Sequence, residues 1–192
     1  MSLLAVQGGA TGSGTVTLLA PATNTDRTLT LPDVTGTVLT TATAGVPVNG
    51  PAFSAYNSAD QSITTATWTK LAANTEEFDT NSCFDNATNY RFTPTVAGYY
   101  QVDGKLAVYA TVATASLQIG IYKNGTLAKR GSFNSNPAGI PDVGVVVSSI
   151  MYLNGSTDYI ELYGLCAFTG TNTFSGGGTY SYFQAAIVRS AV

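Results

Sequence analysis

Phe92-Thr93-Pro94-Thr95-Val96-Ala97-Gly98-Tyr99-Tyr100-Gln101-Val102 is the stretch that decides the fold, because a proline loop gives way at Gly98 to a long alternating segment. Side chains of a strand point to opposite faces in turn. Tyr100, Val102, Leu106 and Val108 therefore share one face, and that face is apolar throughout. Tyr99, Gln101, Asp103, Lys105, Ala107 and Tyr109 share the other, with polar groups in the middle and rings at both ends. A solvent-facing strand would be polar along that whole side. Tyr99 and Tyr109 need cover, and a partner subunit is one source of it.

Downstream the same period continues. Leu117, Ile119 and Ile121 alternate with Gln118, Gly120 and Tyr122, and Asn124-Gly125 after Lys123 is a strong hairpin signal, since both residues tolerate positive φ. Val145 to Leu153 reads as another long strand, Asn154-Gly155 as a turn, and Tyr159 to Leu165 as the next strand, with Ile160 and Leu162 facing together. No window sustains apolar residues at i, i+3, i+4 and i+7. About ten short strands separated by Gly, Asn and Pro turns predict an all-β, two-sheet sandwich or barrel.

Composition limits what such a domain does. The 192 residues suffice for one sizeable domain and a small appendage. Charged residues make up 10% of the chain, against about 25% for soluble domains, so a lone monomer has little to keep it dispersed and burial in an assembly is expected. The net charge is −3 and the cations are scattered, Lys129-Arg130 being the one adjacent pair. That pair reads as a solvated strand end, and with no basic patch nucleic acid is not an expected partner. No run reaches the roughly 18 apolar residues of a membrane helix, and the first residues lack the basic flank and apolar run of a secretory signal, so no membrane insertion is expected. Cys83 and Cys166 sit among strand-like neighbours and read as buried thiols. With no His and no Cys-x-x-Cys, the usual zinc, haem and iron-sulfur ligands are missing and no cofactor is expected.

Phe92, five residues, Gly98, one residue, Tyr100 resembles the signature of the globular head of complement first component subunit q, with Val102 where that family places an aromatic. Further landmarks follow in the family's order: Pro51-Ala52-Phe53-Ser54-Ala55, Asn89-Tyr90-Arg91-Phe92, Ile121-Tyr122-Lys123-Asn124-Gly125, Leu153 to Leu162 and Ser181 to Val188. The resemblance covers about residues 51–190. It implies a ten-stranded, tumour-necrosis-factor-like jelly roll that assembles as a homotrimer, with Tyr99 and Tyr109 as interface candidates.

Thr43 to Pro51 packs two Gly and two Pro into nine residues, which marks a linker. The division expected is an amino-terminal β-rich segment at 1–44, a linker at 45–51 and the head at 52–192. Within the first part, the passage Leu19 to Thr37 resembles a segment found in tail-fibre and other virion proteins of bacteriophages, a resemblance that spans about residues 15–43. A single layer of short strands cannot enclose a core, so this piece is expected to wind into a trimeric stalk or to dock as an arm on other virion proteins. The resemblance implies a virion protein, assembled in the host cytoplasm: a tail-fibre or spike head that binds the host surface, or alternatively a capsid decoration or head-fibre protein that stabilises the shell.

Catalysis finds little support. Without His, a Ser or Cys nucleophile lacks its usual base. Glu76-Glu77-Phe78-Asp79 with Asp85 supplies the carboxylates of a surface-glycan hydrolase, but neighbouring acids more often line a solvated turn, and the expectation is a binding protein and not an enzyme. Asp79, Asn81 and Asp85 are candidate calcium ligands by hardness, and they read equally well as turn-capping residues. Two long Gly- and Asn-rich stretches, Gly131 to Pro141 and Phe168 to Gly178, suit a binding role. In them Phe133, Asn134, Asn136, Phe168, Asn172 and Phe174 are candidates for contact with a host glycan or protein; alternatively the rings fold back as local plugs.

Overall fold

The computed structural model describes residues 24–26, 50–109, 115–136, 142–167 and 172–191. Most of the segment expected at 1–44 and most of the linker at 45–51 lie outside these. The chain divides into two units, Met1–Val38 and Leu39–Val192, and the architecture below belongs to the second.

Among the described residues there are thirteen strands and no helix: β1 Ala52–Tyr56, β2 Gln61–Ile63, β3 Trp68–Lys70, β4 Thr75–Asp79, β5 Phe84–Asp85, β6 Arg91–Phe92, β7 Ala97–Tyr109, β8 Ala115–Lys123, β9 Thr126–Asn136, β10 Asp142–Asn154, β11 Ile160–Ala167, β12 Asn172–Phe174 and β13 Tyr182–Ser190. The number exceeds the expected ten because edge pieces of two or three residues count separately. They form two antiparallel sheets. The larger runs β4-β1-β13-β7-β10, with β12 and then β2 continuing beside the end of β7 where β13 has stopped. The smaller runs β5-β6-β11-β8-β9, with β3 beside β11 beyond β6. This is the jelly roll that the sequence implies.

Alternation explains the long strands. The whole of β7 pairs with β10, Tyr99 opposite Tyr152 and Val108 opposite Val143. Tyr100, Val102, Leu106 and Val108 are buried, as the period-two reading requires, and across from them Val143, Val145, Val147, Met151 and Leu153 are buried on β10. Tyr100 spends its hydroxyl by donating to the Val96 carbonyl at 2.7 Å, so the ring enters the core without an orphaned polar atom.

Between the sheets the core is built on rings. Phe53 stacks on Phe84 and Phe92 at 4.4 and 4.6 Å and meets Phe183 edge-on at 5.1 Å. Gly104 lies at a core-facing position of β7, where a Cβ would come within 2.6 Å of the Leu162 side chain reaching in from β11. Its lack of a side chain lets the two sheets approach. The β8–β9 hairpin turns on Asn124 (φ 52°) and Gly125 (φ 76°), the doubly positive pair that a two-residue turn of this hand demands. Asn154-Gly155 opens a different connection. There Asn154 Oδ1 accepts from the backbone N–H groups of Ser156, Thr157 and Asp158, and the chain passes from β10 in the larger sheet to β11 in the smaller.

Candidate functional site

Three rows of outward side chains cross the larger sheet from β10 to β1. Register places Ile150, Gln101, Ala186 and Ala52 in one row, Ser148, Asp103, Gln184 and Ser54 in the next, and Val146, Lys105, Tyr182 and Tyr56 in a third. Tyr99 and Tyr152 face each other beyond the first row, their rings 5.6 Å apart. Phe78 on β4 extends the middle row past Ser54. Among the described residues, six exposed large apolar side chains stand on this one face: Phe78, Tyr99, Val146 (55% exposed), Ile150 (57%), Tyr152 and Val188. An apolar patch of that extent marks a site of association.

Polar groups occupy its centre and are tied to one another. Gln101 Nε2 donates to Asp103 Oδ1 at 3.0 Å and to Ser148 Oγ at 2.8 Å, spanning β7 and β10. Ser54 Oγ donates to Glu77 Oε2 at 2.6 Å across β1 and β4. Lys105 turns its ammonium aside to the Thr179 carbonyl at 2.8 Å. Burial, helped by the Asp79 charge, raises Glu76 above the usual carboxylate range. Two hollows interrupt the surface. One of about 540 Å³ is lined by Tyr99, Ile150 and Val188 with Arg189, Ser190 and Ala191; a smaller one of about 200 Å³ lies between Phe78, Asp103 and Gln184.

Tyr99 stands on this face, 46% exposed. The side chain of Tyr109 lies outside the described residues. Sequence reading of β7 alone missed Val146, Ile150, Tyr152 and Val188; the period-two rule applied to the even positions of Val145 to Leu153 exposes three of them.

Among the described residues the loop candidates do not converge. Phe174 is fully buried and packs on Gly164, and Asn172 is buried as well, its Nδ2 donating to Thr65 Oγ1 at 2.6 Å. Both therefore leave the set of ligand-contacting candidates, and Phe174 is a plug. Asn134 aims its amide at the Gly144 carbonyl of β10, at 3.5 Å. Phe133 does face outward and, among the described residues, is the most exposed large apolar one, at 61%. Phe168 and the side chain of Asn136 lie outside the described residues.

The calcium candidates are engaged in their own turns. Asp79 accepts from the backbone N–H groups of Asn81 and Phe84. Asp85 accepts from those of Ala87, Thr88 and Asn89 and from the Asn89 amide, which pulls its carboxyl down to about 2. Among the described residues no group of three or more His, Cys, Asp or Glu is placed to hold a metal ion. Both cysteines are buried, and burial pushes the Cys166 thiol up to about 12, far from the range of a reactive thiolate.

No family model matches the chain, and no curated protein matches it. Solved structures do. The globular domain of a zebrafish complement 1qA protein superposes with a TM-score of 0.53 at 15% identity, covering 74% of this chain and 99% of that one. Murine APRIL superposes at 0.54 with 9% identity, covering 72% and 99%, and Eiger TNF from S. frugiperda at 0.50 with 10% identity, covering 74% and 96%. At such identities the likeness is one of fold, and the chain is a jelly roll of the complement-head and tumour-necrosis-factor type.

Proposed function

We propose that the chain is a binding head that works as a homotrimer, each copy burying the outer face of its larger sheet against its neighbours. The apolar surface concentrated on that face carries the reading. Fully burying a large apolar side chain stabilises by roughly 1.5–3 kcal/mol, and six that begin about half exposed leave roughly 4.5–9 kcal/mol per face still to be gained. That is the size of the entropic cost of association, about 4–15 kcal/mol. Apolar cover alone therefore balances assembly, and the tied group of Gln101, Asp103 and Ser148 supplies register, because a copy docked out of line would set apolar side chains against those polar atoms.

The finer reading is a bacteriophage virion protein. It draws on the resemblance of the amino-terminal segment to virion proteins, with residues 1–44 joining the head to other virion proteins as a stalk or a docked arm. Displayed as a tail-fibre or spike tip, three linked heads would hold a host surface far more tightly than one weak site. Carbene footprinting tests the assembly. At micromolar concentration Tyr99, Ile150 and Tyr152 are expected to be shielded, becoming labelled on dilution to monomer; full labelling at every concentration would refute it. Retention of fluorescent head on bacterial cells tests the binding role, with saturable retention expected and its absence across a broad panel counting against the host-attachment reading.

A further inference from the structure

The smaller sheet presents a second ring surface, which assembly through the larger sheet leaves unused. Leu117 and Ile119 are buried in the core, so Gln118 stands outward on β8, and its register partners stand with it. One outward row reads Trp68, Leu165, Gln118, Phe133 across β3, β11, β8 and β9; the next reads Lys70, Tyr163, Gly120, Arg130. Tyr122 lies beside them, stacked on Tyr163 at 4.0 Å and edge-on to Trp68 at 5.9 Å. Strands lie about 4.8 Å apart, so Trp68 and Phe133 are separated by roughly 14 Å with a carboxamide between them.

We propose that this row binds an extended oligosaccharide, the rings of Trp68 and Phe133 taking sugar faces and the side chains of Gln118 and Arg130 holding hydroxyls. The proposal rests on the reading of the chain as a binding head, though not on its being a trimer. The surface is a sheet face and not an edge, so an added strand has no backbone to pair with. Its charges are largely spent at home. Lys70 pairs with Glu161 at 2.9 Å. Arg130 lies 5.6 Å over the Trp68 ring and donates to Gln118 Oε1 at 3.4 Å, a placement that holds planar donors beside an aromatic face. Flat rings flanking a few fixed hydrogen-bonding groups, with little net charge, match a ligand whose faces carry C–H groups and whose rim carries hydroxyls.

Trp68 is the chain's one tryptophan, so its emission reports on this row directly. The full chain is titrated with cellohexaose, maltohexaose and the N-acetylglucosamine hexamer, and with a sulfated heparin hexasaccharide as the charged control. At least one neutral sugar is expected to give a saturable change. Phe133→Ala and Gln118→Ala, both outward positions, should weaken it about fivefold or more with unchanged melting temperature. The proposal is overturned by no saturable change up to about 10 mM of every neutral probe, a range that reaches the weakest specific affinities. Binding undiminished in both variants, or confined to the sulfated probe and abolished by salt, overturns it equally. Native mass of the same samples separates the two readings: a monomer that binds sugar removes the trimer and keeps the site, and a trimer that binds none does the reverse.

Discussion

The outer faces of the two sheets are made from the same kinds of residue and differ in how those residues spend themselves. On the smaller sheet Trp68, Tyr122 and Tyr163 lean on one another, and Arg130 lies over Trp68, so each ring is partly covered by its own chain. On the larger sheet Ile150, Val146 and Val188 stand more than or nearly half exposed, and among the described residues only the Tyr99–Tyr152 pair offers mutual ring contact. A half-covered ring array is at rest in water and keeps a face for a weak ligand. A bare aliphatic face is not, and it is the face that the proposed assembly covers.

Substitutions break that comparison apart. Ile150→Asp puts a charge on the exposed apolar face and is expected to reduce the assembly to monomer in light scattering, with the fold intact by circular dichroism. Tyr122→Ala on the opposite face should leave the mass unchanged, and equal responses to the two variants would show that neither face is special. Beneath both faces, Phe53→Ala removes the ring on which Phe84, Phe92 and Phe183 all pack. It should cost about 3–5 kcal/mol in chemical denaturation, and a cost under 1 kcal/mol would mean that the core closes without it.

A smaller effect arises on the smaller sheet. Burial, with the Glu161 charge next in size, pushes the Tyr163 phenol from its ordinary 10 up to about 12. The folded protein thus holds that proton more tightly than the unfolded chain. The stability it contributes is complete below pH 10 and is lost as pH rises from about 10 to about 12. Tyr163→Phe should flatten stability over that window relative to the parent, and an identical alkaline decline in both would show that the loss comes from other groups. Least of all, the low Asp85 carboxyl gives stability that is present above about pH 4 and lost as pH falls toward 2; Asp85→Asn should remove that acid limb from the melting curve.

Much of the larger sheet was legible because its signals are local. Gly98 lies at the start of β7 and alternation from Tyr100 to Val108 names the core side, all within one strand; in the smaller sheet Asn124-Gly125 fixes the β8–β9 hairpin just as locally. Asn172-Thr173-Phe174 was not legible. It sits in a Gly- and Thr-rich run that reads as loop, yet it forms β12 by pairing with Gln61–Ile63 and with Val108, and these partners lie far away in sequence. The ring array of the smaller sheet was hidden for the same reason. Trp68, Tyr122 and Tyr163 belong to three strands whose neighbourhood is a matter of topology, and Trp68 lies among threonines with no period to announce it. Tyr99 was legible as an outward ring because β7 shows both of its faces in one continuous segment, and the same rule reaches Ile150 on β10; Val188, at the register shift between Ile187 and Arg189 in β13, needed its neighbours in space.

Native mass spectrometry of the intact chain at micromolar concentration is the most direct test of the claim that the bare face of the larger sheet is shared between copies. One chain weighs 19.8 kDa. The account predicts a dominant species of three times that mass, which Ile150→Asp abolishes, and a parent protein that stays at the single-chain mass would contradict it.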